Sequence, residues 1–590
     1  MVLTKRNEKM KDILKFVVFV TIGLLGFFAL AYPTTTGSFN DPPIIQPGDG
    51  WLGQTAPPGV VGAGRPHDDA KVIARWDTVP YQEIDNEFEV GLVAFHINQI
   101  DRVEFAVEGG EWVSHNQMQY NPRTNVYEYY GILRKQDFST VGPIEVRAIA
   151  YPRAGLPRLL PPLKLFVDPD NTTPFKTRWV STTGDDSNDG SFEHPLASIS
   201  QAAINISNDF GSADGGRIFL MPGDYAYGGM SYPNTVTMSD KWLTITPHFP
   251  ATKEDVRITS NLGSMKTKLI HFKDLTFREG VESSVGVPSA IWLDDCHMIG
   301  NGPETKINQW GHWLSSHTWT LGDYITDSEA EQNFHGFMHS KGLIRNTSVH
   351  DLASDAYQNG VCVINSTAYN LTKGSTDAHV DVYQITYRLP EELGSVENPN
   401  PDINCVFYGN VGVDYRGQGI YFGDGPNDAD PWMEVEYDNI ALVNNYLNAL
   451  PATARNNLSN HTLRHCLLWN NTFLGQRFDI NMDFGDDYLE NISIRGNCFM
   501  ALRYGDAHTP DLLDGHDVFD NHYVDGLGHF HAITPGEGWT EGDPGFYPNW
   551  IIPNVSSILN NRMQPLTPSD LMGRERGLST AVGAFVGRNK

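Results

Sequence analysis

Between about Asp274 and Asn521, short runs of alternating apolar residues return again and again, each carrying an Asn or Asp near its middle. They read KDLTF (Lys273–Phe277), LDDCHM (Leu293–Met298), IRNTSV (Ile344–Val349), AYNLTK (Ala368–Lys373) and FYGNVGV (Phe407–Val413). LVNNYL (Leu442–Leu447), LWNNTF (Leu468–Phe473), IRGNCF (Ile494–Phe499) and VFDNHY (Val518–Tyr523) complete the series. Aligned on the polar residue, the positions are Asp274, Asp295, Asn346, Asn370, Asn410, Asn445, Asn471, Asn497 and Asn521, with steps of 21, 51, 24, 40, 35, 26, 26 and 24 residues. A period in the low twenties is too short for a unit that buries its own apolar face, so stacking of units must create the core. Period-two alternation rich in Val, Ile, Phe and Tyr makes the units strands. An amide at one fixed point of each unit can satisfy backbone groups at a bend and pair with the amides above and below. The pattern predicts an all-β, single-stranded right-handed parallel β-helix, with the long steps as rungs carrying insertions.

The remaining segments follow from local texture. Lys5, Arg6, Lys9 and Lys11 precede an apolar run, Ile13–Ala31, that ends in Ala29-Leu30-Ala31. Residues 1–31 therefore read as a signal peptide, with a retained signal anchor as the alternative; residues 13–31 are the one expected membrane attachment. Residues 32–68 are rich in Pro and Gly and read as a linker. From 69 to 170, short alternating strands such as FEVGLVAFHI (Phe88–Ile97), VYEYYGIL (Val126–Leu133) and IEVRAIAYP (Ile144–Pro152) predict a β-sandwich of the immunoglobulin-like type. The passage from Val103 through Glu111-Trp112 to Tyr151 resembles the Ig-like modules attached to secreted carbohydrate enzymes. Trp76, Trp112, Tyr129 and Tyr130 are either glycan-binding aromatics there or core residues of a docking module.

The β-helix is expected to occupy 178–590. Its start, STTGDDSNDGSFEHPLASISQAAINI (Ser181–Ile206) followed by GGRIFLMPGDYAYGG (Gly215–Gly229), contains a capping helix from Ser198 to Ile206. A solenoid needs such a cap over its first open edge. This segment, with GDPGF (Gly542–Phe546) and the tail from Leu571 to Phe585, is similar to the pectate-lyase-like superfamily of right-handed β-helices. The resemblance implies the architecture and a place among carbohydrate-active proteins; the superfamily includes lyases, hydrolases, epimerases and non-catalytic adhesins. The arginine-rich RxPxxR signature of pectate lyases proper is absent from this chain.

Charge narrows the partner. With 42 basic and 71 acidic side chains the net charge is −29, which excludes tracking of a nucleic-acid backbone. Export and acidity together suit a protein of the secreted space or cell surface acting on polysaccharide. Cys296, Cys362, Cys405, Cys466 and Cys498 are odd in number and sit at rung positions, so they are expected as buried thiols.

Two insertions, near 299–337 and 390–402, are expected to leave the solenoid; Trp310, Trp313 and Trp319 in the first could stack on sugar rings or pack the loop down. The densest chemistry lies in DAHVDVYQ (Asp377–Gln384) and VGVDYRGQG (Val411–Gly419). With Val380 and Val382 inside, His379, Asp381 and Tyr383 should point outward beside Asp414 and Arg416. A lyase acting on a uronate glycan would use His379 as base, Arg416 as carboxylate clamp and Tyr383 as proton donor, with Asp414 alongside. Asp355, Asp377 and Asp381 could hold a calcium ion. Paired Asp residues also allow a glycoside hydrolase. A non-catalytic surface or filament protein that uses the β-helix as a rod remains the other reading, an outward charge ladder being ordinary surface.

Overall fold

The computed structural model describes residues 70–541 apart from connecting segments, the longer of which are 210–215, 227–240, 284–289, 304–313, 316–321, 373–379, 387–393, 424–436, 450–455, 482–488, 505–515 and 524–539, together with a two-residue strand, Phe39–Asn40. The leader 1–31, all of the linker except that strand, and the closing segment after 541 lie outside the described residues. So do His379, Asp377, Trp310, Trp313 and Trp319.

The main body is a right-handed parallel β-helix with three long sheets. Sheet 1 has 14 strands from Lys176–Val180 to Asp517–Phe519, sheet 2 has 13 from Gly223–Tyr225 to Thr540–Glu541, and sheet 3 has 10 from Leu262–Met265 to Leu502–Tyr504. Every pairing in them is parallel and mostly in register, as at Ile291↔Asp323 and Tyr357↔Tyr383. The first coil is closed by the helix Ile199–Asn208, whose Ser198 Oγ accepts from Gln201 N at 3.1 Å. That helix lays Ile199, Ala202, Ala203 and Ile206 on the open end of the apolar core.

The corner between sheets 1 and 2 has two residues with separate duties. The first adopts positive φ at Asp274, Asp295, Asp327, Asn346, Asn365, Asn444, Asn470 and Asp520, and at Gly409 and Gly496. The second faces in and stacks. Asn410, Asn445, Asn471, Asn497 and Asn521 form a continuous ladder there, each Oδ1 from Asn445 onward accepting from the preceding rung's backbone N–H at 2.9–3.0 Å. Each Nδ2 also donates to the Oδ1 of the next rung, at 3.1 Å for Asn410–Asn445 and 3.0 Å for Asn445–Asn471. Below Asn410 the same place holds Cys296, Ser328, Thr347 and Ser366, where Ser328 Oγ accepts from Cys296 N at 3.0 Å and Ser366 Oγ from Thr347 N at 3.2 Å.

This corrects the sequence alignment. Asp274, Asp295 and Asn346 occupy the positive-φ position, which favours Asn and Asp for its own steric reason and so mimics the ladder. Asn370 belongs to neither; it stands at a bend near the end of a sheet 2 strand, with Gln332, Asp351 and Asp414 on equivalent rungs, all at φ 51–56. The step of 51 residues conceals a complete rung at Asp327-Ser328. The stretch 299–337, expected to leave the solenoid, therefore contains a coil, with Gly322–Thr326 in sheet 1 and Glu329–Asn333 in sheet 2. In the second expected insertion, Gly394–Ser395 pairs with Asn398–Pro399 as a small antiparallel hairpin.

The N-terminal region is an antiparallel sandwich. One sheet orders Phe39–Asn40, Val126–Leu133, Phe88–Phe95 and Ile73–Trp76; the other orders Leu163–Val167, Gly142–Pro152, Ile100–Val107 and Val113–His115. It is not a tethered bead. Its first sheet lies flat on the outer face of sheet 1, sharing one apolar cluster with Trp242, Leu269, Trp292, Leu343, Ile364 and Tyr408. Asn404 acts as a strand partner, accepting from Ala74 N at 2.8 Å and donating to Ala74 O at 2.7 Å. Arg345 of the β-helix enters the sandwich and donates to Asp77 O at 2.6 Å and Asp77 Oδ1 at 2.9 Å, both side chains buried. Cys362 joins this interface cluster, whereas Cys296, Cys405 and Cys466 fill the coil interior; all five thiols are free and buried.

If the second corner position carries the ladder, Asn471→Ala should cost roughly 2–6 kcal/mol, because Asn445 N and Leu442 O each lose a buried partner at about 1–3 kcal/mol apiece. Asn370→Ala should cost only about 1 kcal/mol. Urea unfolding midpoints measure both, and equal losses would contradict this division of duties.

Candidate functional site

The strand Asp381–Thr386 was expected to show His379, Asp381 and Tyr383 outside. Instead Val380, Asp381, Val382, Tyr383 and Ile385 are all buried. Period two fails to sort them because Val380 and Asp381 lie at the corner that begins the strand. Tyr383 faces the core, stacked on Phe407 at 4.3 Å between centroids, and its hydroxyl donates to Gly360 O at 2.6 Å beside Cys405 Sγ. It has no part in proton donation to a surface ligand. Asp355 and Asp381 are also enclosed rather than outward: Asp355 Oδ1 accepts from Asp381 N at 3.0 Å, and Asp355 Oδ2 lies 3.5 Å from His335 Nδ1. Burial, and then the neighbouring Asp355 charge, pushes the Asp381 carboxyl well above the usual range.

Asp414 and Arg416 are exposed as expected. Asp414 stands at the positive-φ bend of Val411–Tyr415, which gives it an architectural reason for being Asp. Arg416 occupies the corner leading into the sheet 3 strand Gln418–Gly423, its N–H tied to Leu371 O at 3.0 Å.

Sheet 3 presents a register line that the sequence reading did not assemble. Met338, Gln358, Gln384, Tyr421, Asn457, Asp479 and Arg503 are successive partners across it. Core residues such as Phe337, Tyr357, Tyr383 and Ile420 take the alternate line. Gln358 Nε2 donates to Gln384 Oε1 at 2.5 Å. Later coils also leave this sheet through long connections: 387–401, 424–436 and 505–516, against 359–361 earlier in the helix. Only knowing which strands pair yields this line, since its members are 20 to 37 residues apart in sequence.

A second polar column lies on the outer face of sheet 2, where Glu331, His350 and Tyr369 are register partners and Glu329 lies opposite His297. His297 Nε2 is 3.0 Å from Glu331 Oε1; His350 Nε2 is 3.0 Å from Glu329 Oε1, and His350 Nδ1 is 2.8 Å from Asp351 Oδ2. Tyr369 stacks on His350 at 4.5 Å, and Asn370 donates to Asp351. Glu331, His350 and Asp351 each bring a metal-ligating atom within 4.8 Å of the others. Yet both His350 nitrogens already face carboxylates, so protons and hydrogen bonds satisfy the network as it stands. Burial acts to lower the His350 pKa, but its bonds to Asp351 and Glu329 outweigh that and raise it. This column was missed because Glu329 and Glu331 sit in the coil read as an insertion.

The sandwich aromatics divide. Tyr129 and Tyr130 are buried, Trp76 donates Nε1–H to Pro161 O at 2.7 Å, and Trp112 remains 44% exposed. A crevice of about 580 Å³ lies between the sandwich and sheet 1, lined by Trp76, Tyr81, Tyr324, Arg158 and Asp402 among others. Arg158 is already committed to Asp402 at 2.7 Å.

No protein-family model matches the chain, and no curated protein matches it in sequence. Among solved structures, it is similar to a complex of XylC with xylose (TM-score 0.33, 10% identity, covering 70% of this chain and 98% of that one). It is also similar to a rhamnogalacturonan lyase (TM-score 0.25, 12% identity, covering 62% and 87%). The β-helix itself is read from this chain's own strand pairing.

Because its folded pKa is raised, His350 contributes stability that is full below about pH 6.5 and fades as pH rises through the raised value. NMR titration of the imidazole should show that value falling towards 6.5 in Asp351→Asn. An unchanged titration would remove Asp351 as a cause.

Proposed function

We propose that the chain is an exported carbohydrate-active β-helix protein that lays an acidic polysaccharide along sheet 3 and cleaves it by β-elimination. The observation that carries this reading is the register line Gln358, Gln384, Tyr421, Asn457, Asp479 and Arg503 on that sheet. Rungs recur about every 4.8 Å, so the line sets its residues at regular intervals along one axis. Sheet 1 offers no such face because the sandwich covers it.

In this reading Arg416 grips the uronate carboxylate with its planar fork and stabilises the charge that develops as the α-proton leaves. His379, two residues ahead of the strand Asp381–Thr386, keeps the role of base. It takes the C5 proton; that electron pair forms the C4=C5 double bond, the C4–O glycosidic bond breaks, and the departing oxygen gains a proton from solvent. Tyr383 has no role, and Asp414 serves the bend. Arg503, the register partner of Asp479, stands further along the same line.

The test is release of unsaturated uronate from a panel of acidic polysaccharides, followed by ultraviolet absorbance. Arg416→Ala should lower kcat/KM on the order of 10²-fold without lowering Tm, since the side chain is exposed. Tyr383→Phe should lower Tm and leave the rate per folded molecule unchanged. Full activity in Arg416→Ala would overturn the clamp. Neither unsaturated product nor new reducing ends on any substrate would favour a non-catalytic, rod-like glycan-binding protein.

A further inference from the structure

The outer face of sheet 2 gathers histidines and carboxylates at one place, and three of them converge. Glu331 lies on the strand Glu329–Asn333, and His350 and Asp351 lie on its neighbour Ser348–Leu352, with Glu331 and His350 in register. One ligating atom from each of Glu331, His350 and Asp351 lies within 4.8 Å of the other two. No other trio of His, Cys, Asp or Glu converges in this way among the described residues.

Each member of the trio is also held from outside it. His350 Nε2 is 3.0 Å from Glu329 Oε1, which leaves Nδ1 on the side of Asp351 Oδ2, 2.8 Å away. Asn370 donates to Asp351 Oδ1, and His297 Nε2 stands 3.0 Å from Glu331 Oε1. Tyr369 stacks on the His350 ring at 4.5 Å between centroids and fixes its plane. An imidazole whose far nitrogen meets a carboxylate, beside carboxylates that are themselves hydrogen-bonded, has the outer shell that orients metal ligands. Carboxylate oxygens carry two lone pairs each, so these bonds leave the trio able to ligate.

The spacing suits an ion as well. Two ligands each about 2.1 Å from a metal and at right angles to one another stand about 3.0 Å apart. The Nδ1–Oδ2 separation of 2.8 Å is close to that. The side chains of Glu331, His350 and Asp351 are 17%, 8% and 33% exposed, enclosed enough to hold position and open enough for water to complete the shell. An imidazole nitrogen with two carboxylates suits a first-row transition ion over calcium, which takes oxygen ligands. We propose that Glu331, His350 and Asp351 form a binding site for a divalent transition-metal ion of the zinc class, apart from the polysaccharide line on sheet 3. The ion takes the place of the proton that otherwise joins His350 to Asp351, and it bridges two successive coils.

The test is independent of any activity on polysaccharide. Zinc is titrated by calorimetry into the metal-stripped full-length protein at neutral pH. The expected result is a site of one ion per chain whose Kd rises about tenfold or more in Asp351→Asn and in Glu331→Gln and is unchanged in Asp414→Asn. Asp414 stands at the equivalent bend two rungs on, outside the trio, and the rung between them carries Asn370 at the same positive φ. Asp351→Asn therefore tests ligation without disturbing the bend. A wild type that takes up no zinc would overturn the site, and so would unchanged affinity in both Asp351→Asn and Glu331→Gln, which would place zinc on other histidines. Calcium binding as tight as zinc binding would overturn the assigned class. Where the variants fail to fold, the wild type decides: one equivalent of Co2+ should shift or broaden the His350 imidazole signals in the NMR spectrum, and unperturbed signals would overturn the proposal.

Discussion

The structure depends on how the inward side chains of one two-residue corner satisfy backbone N–H groups of the preceding coil. A β-helix buries three sheets of backbone, and at each corner the ladder of strand hydrogen bonds is interrupted. From Asn410 to Asn521 the amide restores it in both directions, accepting from the preceding rung's N–H and donating to a strand carbonyl, as Asn471 does to Leu442 O at 2.8 Å. Such a corner tolerates no slippage, because a shift by one residue would orphan several buried groups at once. Register is therefore fixed along the axis. Fixed register is what turns residues scattered through the sequence into straight columns on each face.

Those columns have distinct fates. On sheet 1 the outward column is apolar and aromatic, and the sandwich seals it with Arg345 buried against Asp77 at the centre. A buried ion pair of this kind adds little net stability against apolar replacements, but it penalises any other seating of the two domains. On sheet 2 the outward column closes on itself as a network of histidines and carboxylates. On sheet 3, Gln358 and Gln384 bond to one another and stand in register with Tyr421. That sheet also leads into long connections such as 387–401 and 424–436, and a rigid scaffold usually places variable binding residues on such segments.

Much of this fold was legible in the chain. Alternation and the recurring Asn yielded the parallel β-helix, the capping helix at Ser198, the antiparallel region and the free thiols. The errors share a physical cause. Positive-φ corners select Asn and Asp by sterics, ladder positions select Asn by hydrogen bonding, and composition alone does not separate the two. That confusion concealed the Asp327-Ser328 rung and with it Glu329 and Glu331. The inward–outward assignment at Asp381 and Tyr383 failed because alternation holds along a strand but not across the corner that begins it. The docking of the sandwich had no signal beyond a set of tryptophans, and the line from Gln358 to Arg503 emerges only from pairing between coils whose connections differ in length.

The most direct measurement is the affinity of a chemically inert uronate oligosaccharide for wild type, Tyr421→Ala and Trp112→Ala by titration calorimetry. Tyr421 stands in the middle of the sheet 3 line, and Trp112 is an exposed aromatic of the sandwich. Binding along sheet 3 predicts that Tyr421→Ala raises Kd about tenfold or more, a loss of about 1.4 kcal/mol, while Trp112→Ala leaves it unchanged. The reverse pattern, with Trp112 essential and Tyr421 silent, would place glycan recognition on the sandwich and contradict the assignment of sheet 3.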